Sequence, residues 1–220
     1  MERQKDTAQL AIQFLNLSRM FLQQGNLPRA ENYIQKSLEV AERKNFRYAQ
    51  AASLSVLAEI RKTQGQPSAA LNLYKQSLAV NESLKSELGI LSQLVAIGKL
   101  YLAQGQLAGA DNYLSRALPI VAERNISGEV VDLFLSLSEL KIKEDKLAVA
   151  KSLLDTAQQG VIEMIDQNVR LRFLSLRSQY LEKSGQYNLA FTTAKQAALL
   201  RDSIFDLKKS ERIHELEEKY

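Results

Sequence analysis

The sequence predicts an all-α fold: a right-handed α-solenoid of five antiparallel helix hairpins followed by an extended C-terminal helix. Three observations lead there. Gly25, Gly65, Gly105 and Gly185 recur at a 40-residue period, with Asp145 in the one remaining slot. Ala30, Ala70, Ala110, Ala150 and Ala190 follow five residues later without exception. Between these marks the apolar residues return at the 3.6-residue spacing of amphipathic helices. A period this strict over nearly the whole chain means one hairpin copied and stacked.

The first unit, about residues 5–45, shows the grammar. Leu10, Phe14, Leu17, Phe21 and Leu22 form one face of a helix that Gly25 stops. Asn26 is placed to cap the next helix, and Pro28 is tolerated in its first turn. Ala30, Tyr33, Ile34, Leu38, Val40 and Ala41 then give the second helix. A connection this short forces the two helices to pack antiparallel. The units at about 46–85, 86–125, 126–165 and 166–203 repeat the pattern. Small residues stand at Ser18, Ala58, Gly98, Ser138 and Ser178, and again at Ser37, Ser77, Ala117, Ala157 and Ala197. They read as packing determinants that let helices approach closely, with large apolar residues filling the layers.

Pro119 falls inside the second helix of the third unit, which predicts a kink or early fraying near residues 115–119. Beyond residue 203 the chain has no glycine or proline. Residues 204–220 read as a separate C-terminal helix and the start of a coiled coil. Ile213, Leu216 and Tyr220 have heptad-like spacing, and Glu215 and Lys219 form an i,i+4 pair. The tail stops without a capping residue, which suggests that more chain follows.

Composition removes several function classes. The net charge of +4 comes from 29 basic and 25 acidic residues spread along the chain, not gathered on one stripe as in a nucleic-acid binder. Cysteine is absent, so there is no disulfide framework, thiolate metal site or cysteine nucleophile. The single histidine, His214, lies in the charged tail and has no second ligand to share a metal. The glycines stand singly, so no phosphate-cradling loop is written. No apolar stretch reaches the roughly 18 residues that span a bilayer. The expectation is a non-enzymatic chain with no cofactor, no metal, no nucleic-acid partner and no membrane contact of its own.

Gly98, Tyr101 and Gly105, followed by Ala110, Leu114 and Ala117, carry a resemblance. The order small, aromatic, glycine, alanine resembles the tetratricopeptide repeat (TPR) signature, and it covers roughly residues 8 to 203. The usual TPR unit has 34 residues, so about six per unit are extra. They are assigned to helix ends and to turns such as Arg43–Asn45 and Arg124–Gly128. Arg61 and Lys141 stand where the family favours an aromatic, and Arg177 where it favours leucine. A second resemblance lies in the tail. Asp202, Ser203, Ile204 and Phe205, followed by residues 213–220, are similar to the junction below TPR arrays in bacterial membrane-tethered histidine kinases and helix-turn-helix regulators.

The first resemblance implies a concave groove lined by first helices that takes a protein or peptide. Its lining would be Leu15, Arg19, Leu22 and Gln23, then Ser55, Glu59 and Lys62, then Val95, Lys99 and Leu102. Asp132, Leu135, Glu139 and Ile142, then Ser175, Gln179 and Glu182, complete it. Down the groove, Arg19, Glu59, Lys99, Glu139 and Gln179 make a ladder of alternating sign suited to a ligand of mixed charge. An ordinary solvated ladder of weak ion pairs is the competing reading. The carboxylate clamp of chaperone-binding relatives is not written, because its places hold Leu15, Arg19, Val56, Ser92 and Ala96. The second resemblance implies a sensor region of a bacterial signalling protein, periplasmic if membrane-tethered, with homodimerisation through the C-terminal helix. The alternative is a cytoplasmic TPR adaptor or peptide-responsive regulator.

Overall fold

The computed structural model describes residues 2–122, 128–163 and 165–217. These form ten α-helices and no strand: α1 (Glu2–Gln23), α2 (Leu27–Arg43), α3 (Arg47–Thr63), α4 (Pro67–Ser83), α5 (Glu87–Ala103), α6 (Leu107–Val121), α7 (Gly128–Lys143), α8 (Leu147–Glu163), α9 (Gln167–Lys183) and α10 (Tyr187–Glu217). The expected all-helical hairpin architecture is therefore what the chain adopts. It divides into two compact units, Met1–Ile120 and Val121–Tyr220.

Among the described residues, seven joints between helices are nearly identical. Gly25, Gly65, Gly105 and Gly185 hold φ between 71° and 76°, and Asp145 holds φ 60° in the slot without glycine. Asn45 and Lys85, which join one hairpin to the next, adopt the same left-handed conformation at φ 54° and 52°. Each of these seven closes with two backbone bonds of one pattern. Gly25 N donates to Leu22 O at 3.0 Å, and Asn26 N donates to Phe21 O at 2.8 Å. At the next joint Asn45 N donates to Glu42 O at 3.1 Å, and Phe46 N donates to Ala41 O at 2.8 Å. This is the Schellman ending, which satisfies the last carbonyls of a helix. Helices α2 to α6 start at Leu27, Arg47, Pro67, Glu87 and Leu107, so the structural period is one helix with its joint, half the sequence period. Sequence patterning shows only the longer one because a lysine and an asparagine stand where glycine would mark the shorter.

Asn26 caps α2 as expected, its side chain accepting from Arg29 N at 3.3 Å, with Pro28 in the first turn. The small residues are packing residues as read, and several also bind across helices. Ser18 Oγ donates to Ala30 O at 2.7 Å, and its fifth-unit equivalent Ser178 donates to Ala190 O at 3.0 Å. Ser37 donates to Ala11 O and Ser77 to Ala51 O, at 2.7 and 2.8 Å. Those hydroxyls are committed to holding backbone carbonyls, so none is a free nucleophile. At Gly98 an added Cβ would stand 2.5 Å from the side chain of buried Leu114, so the two helices meet there at bare backbone.

Apolar clusters lie between successive helices. Leu15, Ala30, Ile34, Val56 and Ile60 form one across α1, α2 and α3. Val131, Leu135, Leu154, Phe173 and Leu176 belong to another across α7, α8 and α9. Two expectations differ from the fold. α6 continues through Pro119 to Val121, so it does not fray at residues 115–119; the ring falls in the final turn, where one missing donor is tolerated. No boundary separates residues 204–217 from the fifth hairpin, because α10 is a single helix of 31 residues with nothing in it to stop a helix. The turn at 124–127 and residues 218–220 lie outside the described residues, as do the side chains of His214, Glu215 and Leu216. The heptad-like pattern and the i,i+4 pair expected of the tail therefore fall outside as well.

Candidate protein-binding face

First helices lie side by side within each unit: α1 touches α3, and α7 touches α9. In the Met1–Ile120 unit this row carries Arg19 and Gln23, both exposed, and Ser55, Glu59 and Lys99, all half-buried, with Lys62 exposed. Glu59 is fixed from two sides. Lys62 pairs with it one turn along the same helix, and the Tyr74 hydroxyl on α4 donates to its other oxygen. The Tyr74 ring is 1% exposed, and burial pushes its phenol far above the usual tyrosine range, with the Glu59 carboxylate adding to the effect. Tyr74 thus keeps its proton and donates a hydrogen bond to Glu59. Beside it, Gln93 on α5 is 4% exposed and donates from Nε2 to Ser55 Oγ at 3.2 Å. Its Oε1 is buried with no donor, an arrangement that costs about 1–3 kcal/mol.

In the Val121–Tyr220 unit the row is organised by Arg172. Its guanidinium binds Asp132, donates to Ser136 Oγ at 3.0 Å and reaches Glu139 Oε2 at 3.4 Å. Ser136 Oγ in turn donates to Asp132 O at 2.7 Å, and Lys143 lies 3.6 Å from the other Glu139 oxygen. Asp132, Glu139 and Arg172 are half-buried, so the network is less screened than a surface pair. Farther along, Lys183 donates to Ile142 O at 2.9 Å and to Asp145 Oδ1 at 3.0 Å, placing a cation on the carbonyl end of α7. Ser175 is half-buried and gives its hydroxyl to Leu171 O at 2.9 Å; Gln179 is exposed.

Five residues expected to line the groove do not reach its surface. Leu15, Val95, Leu102 and Leu135 are buried, and Leu15 and Leu135 belong to the inter-helix clusters. Their positions face inward because first helices are wrapped by neighbours on more than one side. Ile142 is buried too. The face is therefore more polar than expected, and its apolar anchors are its floor. Arg172, which the sequence reading passed over, is its best-connected residue. The available signal was register, since Arg172 holds in the fifth unit the place that Asp132 holds in the fourth.

Among the described residues no helix is long and apolar enough to cross a membrane, and no group of three His, Cys, Asp or Glu side chains could hold a metal. Residues 6–83 match the family model for tetratricopeptide repeats. No curated protein sequence matches the chain. Solved structures do. BtubC (BKLC) from P. vanneervenii is 16% identical with a TM-score of 0.73, covering 90% of this chain and 82% of that one. The apo form of RapI is 15% identical with a TM-score of 0.69, covering 90% and 85%. Aspartyl phosphate phosphatase F from Bacillus subtilis is 14% identical with a TM-score of 0.69, covering 88% of this chain and 60% of that one. At such identities the likeness speaks for the fold. Residues 6–83 are thus similar to tetratricopeptide repeats, and the described helices share the TPR-like hairpin fold of those structures.

Proposed function

We propose that the chain is a non-enzymatic scaffold that binds a protein or peptide on its first-helix face, in the service of a bacterial signalling or regulatory protein. The observation that carries this is the Arg172 network. Three charged side chains and a serine from α7 and α9 are fixed in mutual contact on a half-buried surface. Groups held in place before binding lose little freedom on binding, and that favours recognition of a ligand with ordered charges. Arg19, Lys99 and Glu59 offer a similar face in the other unit. The carboxylates Glu59, Asp132 and Glu139 are engaged by cations or a phenol, which suits recognition better than general acid or base work. The signalling half of the proposal rests on the tail resemblance. It is in keeping with one structural neighbour being named for aspartyl phosphate.

Peptides selected on the protein from a random display library provide the probe. Arg19→Glu, Lys99→Glu and Glu139→Lys are expected to weaken the selected peptides by about tenfold each where the face is the site. Selected peptides with unchanged affinity for all three variants would remove the first-helix face. The reading frame past Tyr220 separates sensor from adaptor, because a transmembrane helix and an output domain belong only to the first.

A further inference from the structure

One stripe along α10 is largely uncovered, with Ala198 half-buried within it. Tyr187, Phe191, Ala194, Ala198, Arg201 and Phe205 follow at alternating steps of four and three, which places them on a single helix face. The three aromatic side chains are 70%, 72% and 67% exposed. Scattered exposed apolar residues need no explanation, but a continuous row of this length does.

The rest of the chain shows what this stripe is for. On α2 the equivalent places are Glu31, Ile34, Leu38 and Ala41, and α3 covers all four. Arg61 and Gln64 bind Glu31, Val56 and Ile60 pack on Ile34, Ala51 and Leu54 share a cluster with Leu38, and Ala49 packs with Ala41. On α8 the equivalents Leu154 and Val161 share a cluster with Phe173 and Leu176 of α9. On α10 the same register carries Phe191 in place of a charge and alanines in place of Ile34 and Leu38, and it stays open.

The chain's own first helix is a poor cover. The α3 residues that face α2 are Ala49, Ala52, Ser53, Val56 and Ile60, and their equivalents on α1 are Gln9, Ile12, Gln13, Asn16 and Met20. Three of those five carry amides, so that face of α1 is more polar than its α3 counterpart. Head-to-tail docking of α1 on α10 would bury those amides and grow without closing.

We propose that a second copy covers the stripe, α10 against α10, antiparallel about a two-fold axis near Gln196. That register sets Tyr187 opposite Phe205, Phe191 opposite Arg201 and Ala194 opposite Ala198. Aromatic meets aromatic at both ends, and the one charge of the stripe meets a ring face, where a guanidinium is favoured. The alanines let the backbones approach at the centre. Six aromatic side chains, each about 70% exposed and so able to bury roughly 100–170 Å² more, supply on the order of 600–1,000 Å². The alanine floor and the Arg201 stems bring the contact near the roughly 1,200 Å² at which specific interfaces begin. The pairing uses no residue of the first-helix face and stands independently of the ligand proposal. It also centres the dimer contact near residue 196, ahead of the heptad-like spacing at Ile213, Leu216 and Tyr220.

Sedimentation equilibrium on the full chain tests it. A dimer is expected, and Phe191→Lys, which sets a cation against Arg201, and Phe205→Glu are each expected to raise its dissociation constant at least about tenfold while helicity by circular dichroism is unchanged. The chain has no cysteine, so Ala194→Cys and Ala198→Cys each introduce a sole thiol. Oxidising a mixture of the two variants is expected to give more cross-linked dimer than oxidising either alone. A monomeric parent chain at high micromolar concentration, a dimer indifferent to both charged substitutions, assemblies growing past two copies, or Ala194→Cys linking best to itself would each overturn the pairing.

Discussion

Lys85 is the residue whose backbone contradicts its side chain most plainly. It holds φ 52° at a helix joint, a conformation that costs an ordinary L-residue roughly 1 kcal/mol relative to glycine. Lys85→Gly is therefore expected to raise stability by about 0.5–1 kcal/mol, read as a higher urea midpoint at unchanged slope. Asp145→Gly should gain less, because it also surrenders the contact with Lys183. Gly25→Ala should lose about 1 kcal/mol in the same assay. Nothing lies within 4 Å of the Cβ it would carry, so that loss is purely backbone strain. Equal midpoints for Lys85→Gly and the parent would show that the joint is not under strain.

Between helices, one clamp has a readable pH dependence. Glu31 on α2 accepts from Arg61 at 2.7 Å and from Gln64 at 3.0 Å, both belonging to the next hairpin. The Arg61 bond holds the Glu31 carboxyl below the usual carboxylate range, outweighing the opposite push of partial burial. A carboxylate with a lowered folded-state pKa contributes stability above its unfolded value and loses it as pH falls through the folded one. Glu31→Gln is thus expected to cost at most about 1 kcal/mol near neutral pH, and the gap from the parent should close below about pH 4. A gap that stays constant down to acid unfolding would refute the clamp. The hairpins themselves were legible from the glycine and alanine spacing, but this clamp was not, since Glu31 and Arg61 sit on different helices of different hairpins. Arg61, Lys141 and Arg177 read in sequence as departures from a family pattern. In the structure each has a polar reason: Glu31 for Arg61, Glu144 at 3.0 Å for Lys141, and Gln158 at 3.2 Å with the Phe173 ring for Arg177. Periodicity reports which face is apolar, and it is silent about which long polar side chains will find each other.

At the scale of the whole molecule, stability should behave as a sum over neighbours, because the apolar clusters described for α1–α4 and α7–α9 join helices close in sequence. Leu154→Ala removes a buried side chain from the α7–α9 cluster and is expected to cost about 2–4 kcal/mol locally. Hydrogen exchange should then accelerate in α8 and α9 while α2 and α3 keep their protection. Uniform acceleration throughout the chain would show one cooperative block instead. The candidate face follows the same division. Its rows were legible as first-helix positions, but its polarity was not, because burial of Leu15, Val95, Leu102 and Leu135 depends on how many neighbours wrap each helix.

The sameness of the joints has a further consequence, for how such a chain can change its length. A joint built alike inside and between hairpins makes length a quantised quantity. Excising residues 47–86 would bring Phe46 directly before Glu87 and seat α5 on α2 through a connection of unaltered geometry. Excising a single helix with its joint would leave the connection equally intact yet put a second helix where a first belongs, with every apolar face turned to the wrong neighbour. The joints would accept either edit, and only the packing forbids one of them.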